Sequence, residues 1–212
     1  MRIANINNKW PFVRGAIPFI GLGIVLTLFL LYVNFKFLAL LFGLITAFIA
    51  FFFRDPNRKC QVKDKTILSP ADGKLIEIDE SKDYIKVGIF MSLTDVHINR
   101  IPVNGTIKDI KHIPGKFLRA DLKEASLKNE KNRIILIPDG YSTPITIVQI
   151  AGIIARRIVC WIDKGDKVIA GQRFGLVCFG SRVELYLDKR CKIIVNLGQK
   201  VKAGITIIGY MP

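Results

Sequence analysis

Four consecutive residues, Phe179-Gly180-Ser181-Arg182, have the types and the order that let a peptide bond break itself. The Ser181 hydroxyl can reach the carbonyl before it. That carbonyl belongs to Gly180, which has no side chain to obstruct attack. A lone Gly-Ser pair is usually a turn, because glycine supplies positive φ and serine bonds its own backbone. Here the pair lies between Leu176-Val177-Cys178-Phe179 and Val183-Glu184-Leu185-Tyr186-Leu187, and both read as strands. A serine between two apolar strands sits on a strained, poorly solvated backbone.

Groups able to assist are few. The chain has two histidines, His97 and His112, and four cysteines, Cys60, Cys160, Cys178 and Cys191, without C-x-x-C spacing. A metal site is therefore not expected, and the thiols read as free in a reducing compartment. Asn104-Gly105, between Val96–Val103 and Thr106–Ile113, is a strong signal for a two-residue hairpin. If Val103 pairs with Thr106, His97 falls opposite His112, and a bulge would shift that pairing by one residue. Asp72, in Ser69-Pro70-Ala71-Asp72-Gly73, is by type a turn residue.

The elements that must hold these residues fall into two parts. Gly15–Val33 and Phe37–Phe53 are uncharged apolar runs of 19 and 17 residues, interrupted by Asn34-Phe35-Lys36. At ~1.5 Å per residue each spans roughly 25–28 Å, close to the bilayer core. Arg2, Lys9 and Arg14 precede them, with Trp10 and Phe12 as interfacial aromatics; Arg54, Arg58 and Lys59 follow, and Asp55-Pro56 ends the second run. Only Lys36 lies between the runs, so the positive-inside rule puts both termini in the cytoplasm. The doubled run and the absence of an A-x-A-like site disfavour a cleaved signal peptide. Spanning and monotopic hairpins both fit. Thirty-two Lys and Arg against 17 Asp and Glu give a net charge of +15, which implies an anionic partner. Nucleic-acid binders do not need such apolar runs, so the partner is an anionic membrane and no nucleic acid is expected.

Residues 1–58 thus read as a membrane-associated helical hairpin and 59–212 as a β-rich domain. Leu75–Ile78 and Tyr84–Met91 are expected strands, Ile145–Trp161 is strand-rich with Gly152 as a bend, and Pro114–Tyr141 is expected to hold a short helix and a mobile loop. Gly165-Asp166-Lys167-Val168-Ile169-Ala170-Gly171 recurs 33 residues later as Gly198-Gln199-Lys200-Val201-Lys202-Ala203-Gly204. The shared pattern resembles the turn-strand-turn of biotinyl and lipoyl hammerheads. The expected fold class is therefore mainly β, a β-sandwich with hammerhead-like repeats preceded by a hydrophobic helical hairpin.

Ser69-Pro70-Ala71-Asp72-Gly73, Asp95-Val96-His97 through Asn104-Gly105, Pro114-Gly115-Lys116-Phe117, Asn129-Glu130-Lys131-Asn132, Ala155-Arg156-Arg157, and Gly171-Gln172-Arg173-Phe174-Gly175 running into Phe179-Gly180-Ser181-Arg182 together resemble the phosphatidylserine decarboxylases in their short bacterial and archaeal form. The order and number of these motifs, across essentially the whole chain, make the resemblance specific. It implies a proenzyme. Ser181 attacks the Gly180 carbonyl, and β-elimination and loss of ammonia turn residue 181 into a pyruvoyl group. The products are a β chain, 1–180, and an α chain, 181–212, held as a heterodimer that is complete alone or within a larger oligomer. A pyruvoyl carbonyl forms a Schiff base with the substrate amine and serves as the electron sink for decarboxylation, so no external cofactor is required.

The resemblance further implies that Asp72 assists self-cleavage and that His97 protonates the carbanion. The longer bacterial form has a second histidine three residues after the first. Arg100 stands there in this chain and is too basic to act as a base. Either His97 serves both steps, or His112 takes part, with Arg100 holding a carboxylate or phosphate. Lys116, Arg119, Arg133, Arg156, Arg157 and Arg173 are candidates for the lipid phosphate. The implied product is phosphatidylethanolamine, made at the cytoplasmic face of the cell membrane. Archaetidylserine as substrate, a soluble amino acid as substrate, and a non-catalytic biotinyl- or lipoyl-like carrier or adaptor are the alternatives. The carrier lacks a Met-Lys-Met or Asp-Lys-Ala acceptor hairpin.

Overall fold

A computed structural model describes residues 11–60, 63–153, 158–178 and 180–212. Arg2, Lys9, Trp10, the Ala155-Arg156-Arg157 motif and Phe179 lie outside the described residues. The chain divides into two compact units, one comprising Asn7–Asn57 and the other built on Arg58–Pro212.

In the first unit a 3-10 turn, Arg14–Ala16, leads into α1 (Ile17–Tyr32), and α2 (Lys36–Phe52) runs back. Pro18 sits in the first turn of α1, where no backbone N–H is needed. Asn34 turns the chain between the helices with φ +65. The helices touch through small residues. An added Cβ at Gly23 would overlap Thr46, and one at Gly43 would meet Thr27 at 3.6 Å. The hydroxyls of Thr27 and Thr46 donate back to the Gly23 and Phe42 carbonyls of their own helices at 2.7 and 2.8 Å. Large side chains such as Phe19, Leu22, Val25, Phe37 and Leu40 point outward. Small residues at the contact and bulky apolar residues outside are what packing in lipid requires. The 19-residue stretch Arg14–Tyr32, mean hydropathy 2.2, is long and apolar enough to cross a bilayer; Lys36–Phe52 is apolar but shorter.

The second unit is mainly β. Its principal sheet contains β2 (Gly73–Glu80), β3 (Tyr84–Met91), β5 (Gly105–Ile113), β6 (Lys131–Pro138), β7 (Ile145–Ile150), β9 (Lys167–Val168), β11 (Ser181–Asp188) and β13 (Lys200–Val201), in the order β13-β2-β3-β11-β7-β6-β5-β9. Two three-stranded sheets complete it among the described residues. One is β1 (Thr66–Leu68), β14 (Ile207–Tyr210) and β12 (Lys192–Ile193); the other is β4 (Ile98–Arg100), β10 (Arg173–Val177) and β8 (Ile158–Cys160). Alternation sets the faces. Val183, Leu185 and Leu187 point into the core with Val87, Ile89, Ile134 and Ile147, whereas Arg182, Glu184 and Tyr186 face the other way, where α3 (Lys123–Lys128) lies. Cys191 is one of the core side chains, and burial pushes its thiol up to about 11.

The two G-[DQ]-K-V-x-A-G stretches are built alike. Gly165 N–H and the Asp166 carbonyl bond to Ile107, and Gly198 N–H and the Gln199 carbonyl bond to Leu75 in the same way. Gly171 and Gly204, which end the two stretches, have φ of +79 and +69 and pack against each other, an added Cβ at Gly204 lying 3.4 Å from the Gly171 Cα.

The expected Asn104-Gly105 hairpin does not form. A two-residue type I′ turn needs positive φ at both central residues, and neither Asn104 nor Gly105 has it. Instead the Asn104 side chain accepts the Ala170 N–H at 2.8 Å, and Gly105 opens β5 with an added Cβ falling on the Ile137 carbonyl. Glycine is needed there for close strand approach, not for a turn. β5 pairs with β6 and β9, and β4 pairs with β10, so His97 and His112 are not cross-strand neighbours. The segment 114–141 holds the expected short helix, α3, but also β6, which its charged residues concealed. Its loop is closed by the Lys116 N–H to Lys128 and the Glu130 N–H to Lys116, at 2.8 and 2.9 Å.

Because a methyl group at position 105 would meet backbone rather than a side chain that can move, Gly105→Ala should lower unfolding stability by ~1–3 kcal/mol, the usual cost of overpacking. Urea titration of the purified protein measures it.

Candidate active site

Ser181 is the first residue of β11 and is fully buried. Gly180 before it has φ +62, a conformation that disfavours any side chain. The Ser181 hydroxyl lies 3.4 Å from Met91 Sδ and 3.5 Å from the Val177 carbonyl oxygen. Met91 is its partner across the ladder to β3. The scissile bond predicted from sequence thus lies at the edge of the core, where the chain passes from a left-handed glycine into a central strand.

His97 is buried just ahead of β4, one residue before Ile98, which pairs with Leu176. That pair is the last of the ladder, and the next residue of β10 is Val177, whose carbonyl the Ser181 hydroxyl contacts. The Nδ1 of His97 is 2.9 Å from the Asp95 carbonyl oxygen. A carbonyl can only accept, so the neutral ring carries its proton on Nδ1 and its lone pair on Nε2. Asp95 in turn closes its own loop by accepting the Ser92 N–H and hydroxyl at 2.8 and 2.7 Å.

Asp72 stands at the head of β2, across β3 from Ser181. Lys74 and Arg182 both pair with Phe90, so residues 73 and 181 are two strand spacings apart, roughly 9–10 Å. The Asp72 carboxylate takes two hydrogen bonds from Arg58, at 2.5 and 2.7 Å, and one from the Ala203 N–H at 2.7 Å. Arg58 also reaches the Ala203 carbonyl at 2.7 Å. The carboxylate is therefore bound to Arg58 and the second repeat, not to Ser181. Arg100 is buried in the same quarter, its Nη1 donating to the Gly171 carbonyl at 2.9 Å. His112 is elsewhere. It lies on β5 with its side chain 56 % exposed, 3.6 Å from Glu130. Of the cationic candidates, Lys116 and Arg133 are exposed, Arg119 pairs with Asp121 at 2.9 Å, and Arg173 is buried.

Three buried amides not singled out as site residues from the sequence form a chain that ends at Met91, the ladder partner of Ser181. Asn132 donates to Gln149 at 3.2 Å, Gln149 to Asn99 at 2.8 Å, and Asn99 to Met91 Sδ at 3.6 Å. The signal was present: Gln149 shares strand parity with Ile145 and Ile147, so a polar residue falls on the buried face. Asn129 is a second clamp. Its Oδ1 accepts the Leu118 N–H at 2.9 Å, and its Nδ2 donates to the Leu118 and Ala151 carbonyls, both at 2.8 Å. Arg58 was hidden by its place next to the apolar run, where it read as a membrane flank.

On the opposite face of the sheet lies a buried charge network. Arg182 pairs with Glu77 and, at 2.8 Å, with Glu184; Lys86 reaches Glu77 and Glu184 at 2.9 and 3.2 Å. Ser126 and Tyr186 donate to Glu184 at 3.0 and 2.9 Å. Gly88 leaves room for the guanidinium, since an added Cβ would lie 2.8 Å from Arg182 Nη2. A cavity of about 490 Å³ on this face is lined by Glu184, Tyr186, Lys131 and Arg133, and the sheet separates it from Ser181.

The family model described as phosphatidylserine decarboxylase matches residues 45–209. A phosphatidylserine decarboxylase proenzyme of Syntrophus aciditrophicus is 44 % identical over 204 residues, 92 % of this chain and 95 % of its own. The proenzyme of Desulfotalea psychrophila is 42 % identical over 208 residues, 95 % and 97 % of the two chains, and that of Geotalea uraniireducens 39 % over 212, 97 % and 99 %.

Burial alone would raise the Glu77 carboxyl, but Lys86 and Arg182 outweigh it and hold it below its ordinary 4.5. A depressed carboxylate contributes stability above its unfolded pKa and loses it as pH falls through the folded value. Thermal melting of Glu77→Gln should therefore fall less steeply with pH below 4.5 than that of the parent chain.

Proposed function

Since the chain belongs to the phosphatidylserine decarboxylase family, we propose that it cleaves itself between Gly180 and Ser181 and then decarboxylates phosphatidylserine to phosphatidylethanolamine and CO2. The observation that carries this reading is the buried Ser181 behind a left-handed Gly180, at the start of a strand held on both edges. In the cleavage step the Ser181 oxygen bonds to the Gly180 carbonyl carbon and the Gly180–Ser181 C–N bond breaks. The hydroxyl proton passes through His97 to the departing nitrogen, leaving an ester and a free amine. Removal of the Ser181 Cα proton expels the Gly180 carboxylate, and water then displaces ammonia to leave the pyruvoyl end. That group supplies the electron sink needed when CO2 departs from an α-amino acid.

The site suits it, because residue 181 is already fixed and dehydrated before any bond breaks. His97 serves both steps in this reading, since the His112 side chain is exposed near the end of β5. The Asp72–Arg58 clamp fixes the head of β2 against the second repeat, and through it the position of β3 and Met91. The paired repeats, which resemble a biotinyl or lipoyl hammerhead, act as scaffold rather than as carrier.

The apolar hairpin holds the domain at the cytoplasmic face of the membrane, where the serine headgroup is presented. The loop 116–129 is the lid in this reading. It exposes Phe117, Leu122 and Leu127 among Lys116, Arg119, Lys123 and Lys128, a mixture suited to an anionic lipid surface.

Denaturing electrophoresis of the purified protein should show two polypeptides, 1–180 and 181–212, the smaller resistant to Edman degradation. Ser181→Ala should stay whole and inactive. An intact parent chain would overturn the reading. His97→Gln should slow cleavage by ~10²–10⁴-fold, the usual contribution of a positioned base, as followed by band conversion after cell-free synthesis.

A further inference from the structure

We propose that Gly152 is a positioning residue for self-cleavage, its bare Cα forming the seat of the Gly180 carbonyl oxygen. This rests on the reading that the Gly180–Ser181 bond is the one that breaks. β7 and β11 pair antiparallel with Ile150 opposite Arg182, and two further residues of that register set Gly152 opposite Gly180. A Cβ added at Gly152 would fall on the Gly180 carbonyl oxygen, well inside van der Waals separation, and 2.9 Å from the carbonyl carbon.

Gly152 is held from the residue before it. Ala151 before it is fully buried, with its N–H donating to the Glu130 carbonyl at 2.9 Å and its carbonyl accepting from Asn129 at 2.8 Å. The Ala120 Cβ lies 3.5 Å from the place a Gly152 side chain would occupy. The two glycines of the pair are needed for different reasons. An added Cβ at Gly180 would meet nothing within 4 Å, so that residue is required for its positive φ; Gly152 is required for space.

The carbonyl oxygen fixes the plane of the scissile peptide, and the plane sets the angle at which Ser181 meets the carbon. As the Oγ–C bond forms, that oxygen takes up the negative charge and the carbon becomes tetrahedral. A methyl group at position 152 turns the carbonyl away before this can happen. Displacements of this size cost on the order of 100-fold in rate.

The test uses the full chain, made by cell-free translation with vesicles of phosphatidylcholine and phosphatidylglycerol so that the precursor is seen before it cleaves. Gly152→Ala should convert to two chains at least ~100-fold more slowly than the parent. Its uncut chain should also resist brief neutral hydroxylamine at the 180–181 junction, where the reagent cuts an ester but not the intact Gly180–Ser181 amide; a cut at Asn104-Gly105 is told apart by fragment size. Gly105→Ala carries the same kind of clash, its Cβ falling on the Ile137 carbonyl. It should lose stability yet cleave within about threefold of the parent, since it leaves the scissile peptide in place.

Parent-like cleavage of Gly152→Ala overturns the inference and leaves the proposed function standing. So does a Gly152→Ala chain that hydroxylamine cuts between 180 and 181, because the block would then follow the acyl shift. An intact parent chain removes the premise and the inference together. If Gly152→Ala loses the protease resistance of the folded precursor, Asn129→Ser decides. It frees the Ala151 carbonyl without adding an atom against Gly180. Cleavage slowed tenfold or more supports the inference, and the parent rate overturns it.

Discussion

Strand β11 is hydrogen-bonded to β3 along one edge and to β7 along the other, and Ser181 is its first residue. A chain that is to be cut at that residue must keep the new end where it was, and pairing on both edges does this. The ladder to β3 runs from Ser181↔Met91 to Asp188↔Tyr84 without a shift of register. The strand therefore has no reason to slide when the bond behind it opens. Val183, Leu185 and Leu187, all buried, tie the same strand to the core. The site depends on this constraint before it depends on any catalytic group.

The charge network on the far face belongs to the same design. Arg182 and Glu184 are on the C-terminal side of the scissile bond; Glu77, Lys86 and Ser126 are on the other. After cleavage these contacts would join two chains. Buried ion pairs give little net stability against an apolar alternative, but losing one partner leaves an uncompensated charge, so they enforce a single register. On the near face, Asn132, Gln149 and Asn99 form an amide chain that ends at Met91, beside the serine. Their polar atoms are paired with each other, which keeps the core dry without leaving orphaned groups.

Much of this was legible in the residues. The strands around Gly180-Ser181, the Tyr84–Met91 strand and the apolar helices all follow from periodicity and turn chemistry, and the structure has them. The hairpin at Asn104-Gly105 was misread because glycine serves two needs, positive φ and close approach, and sequence does not separate them. β6 was hidden because its outward residues, Lys131 and Arg133, joined the charge of α3 into one apparently polar run. Strand parity put Gln149 on the buried face, but its amide partners and the Arg58–Asp72 pair were not legible, since they join residues 17 to 50 and 14 positions apart through the folded sheet. The repeat was visible as a pattern. Its consequence, two left-handed glycines packed on each other, is visible only in three dimensions.

The central claim is that residue 181 ends as a ketone at a fresh chain terminus. Intact-mass spectrometry of the smaller polypeptide tests it most directly. The account predicts a segment from position 181 to Pro212 that is lighter by one ammonia than the same segment with a free amino-terminal serine. A segment with the full serine mass, or no segment beginning at 181, would contradict it.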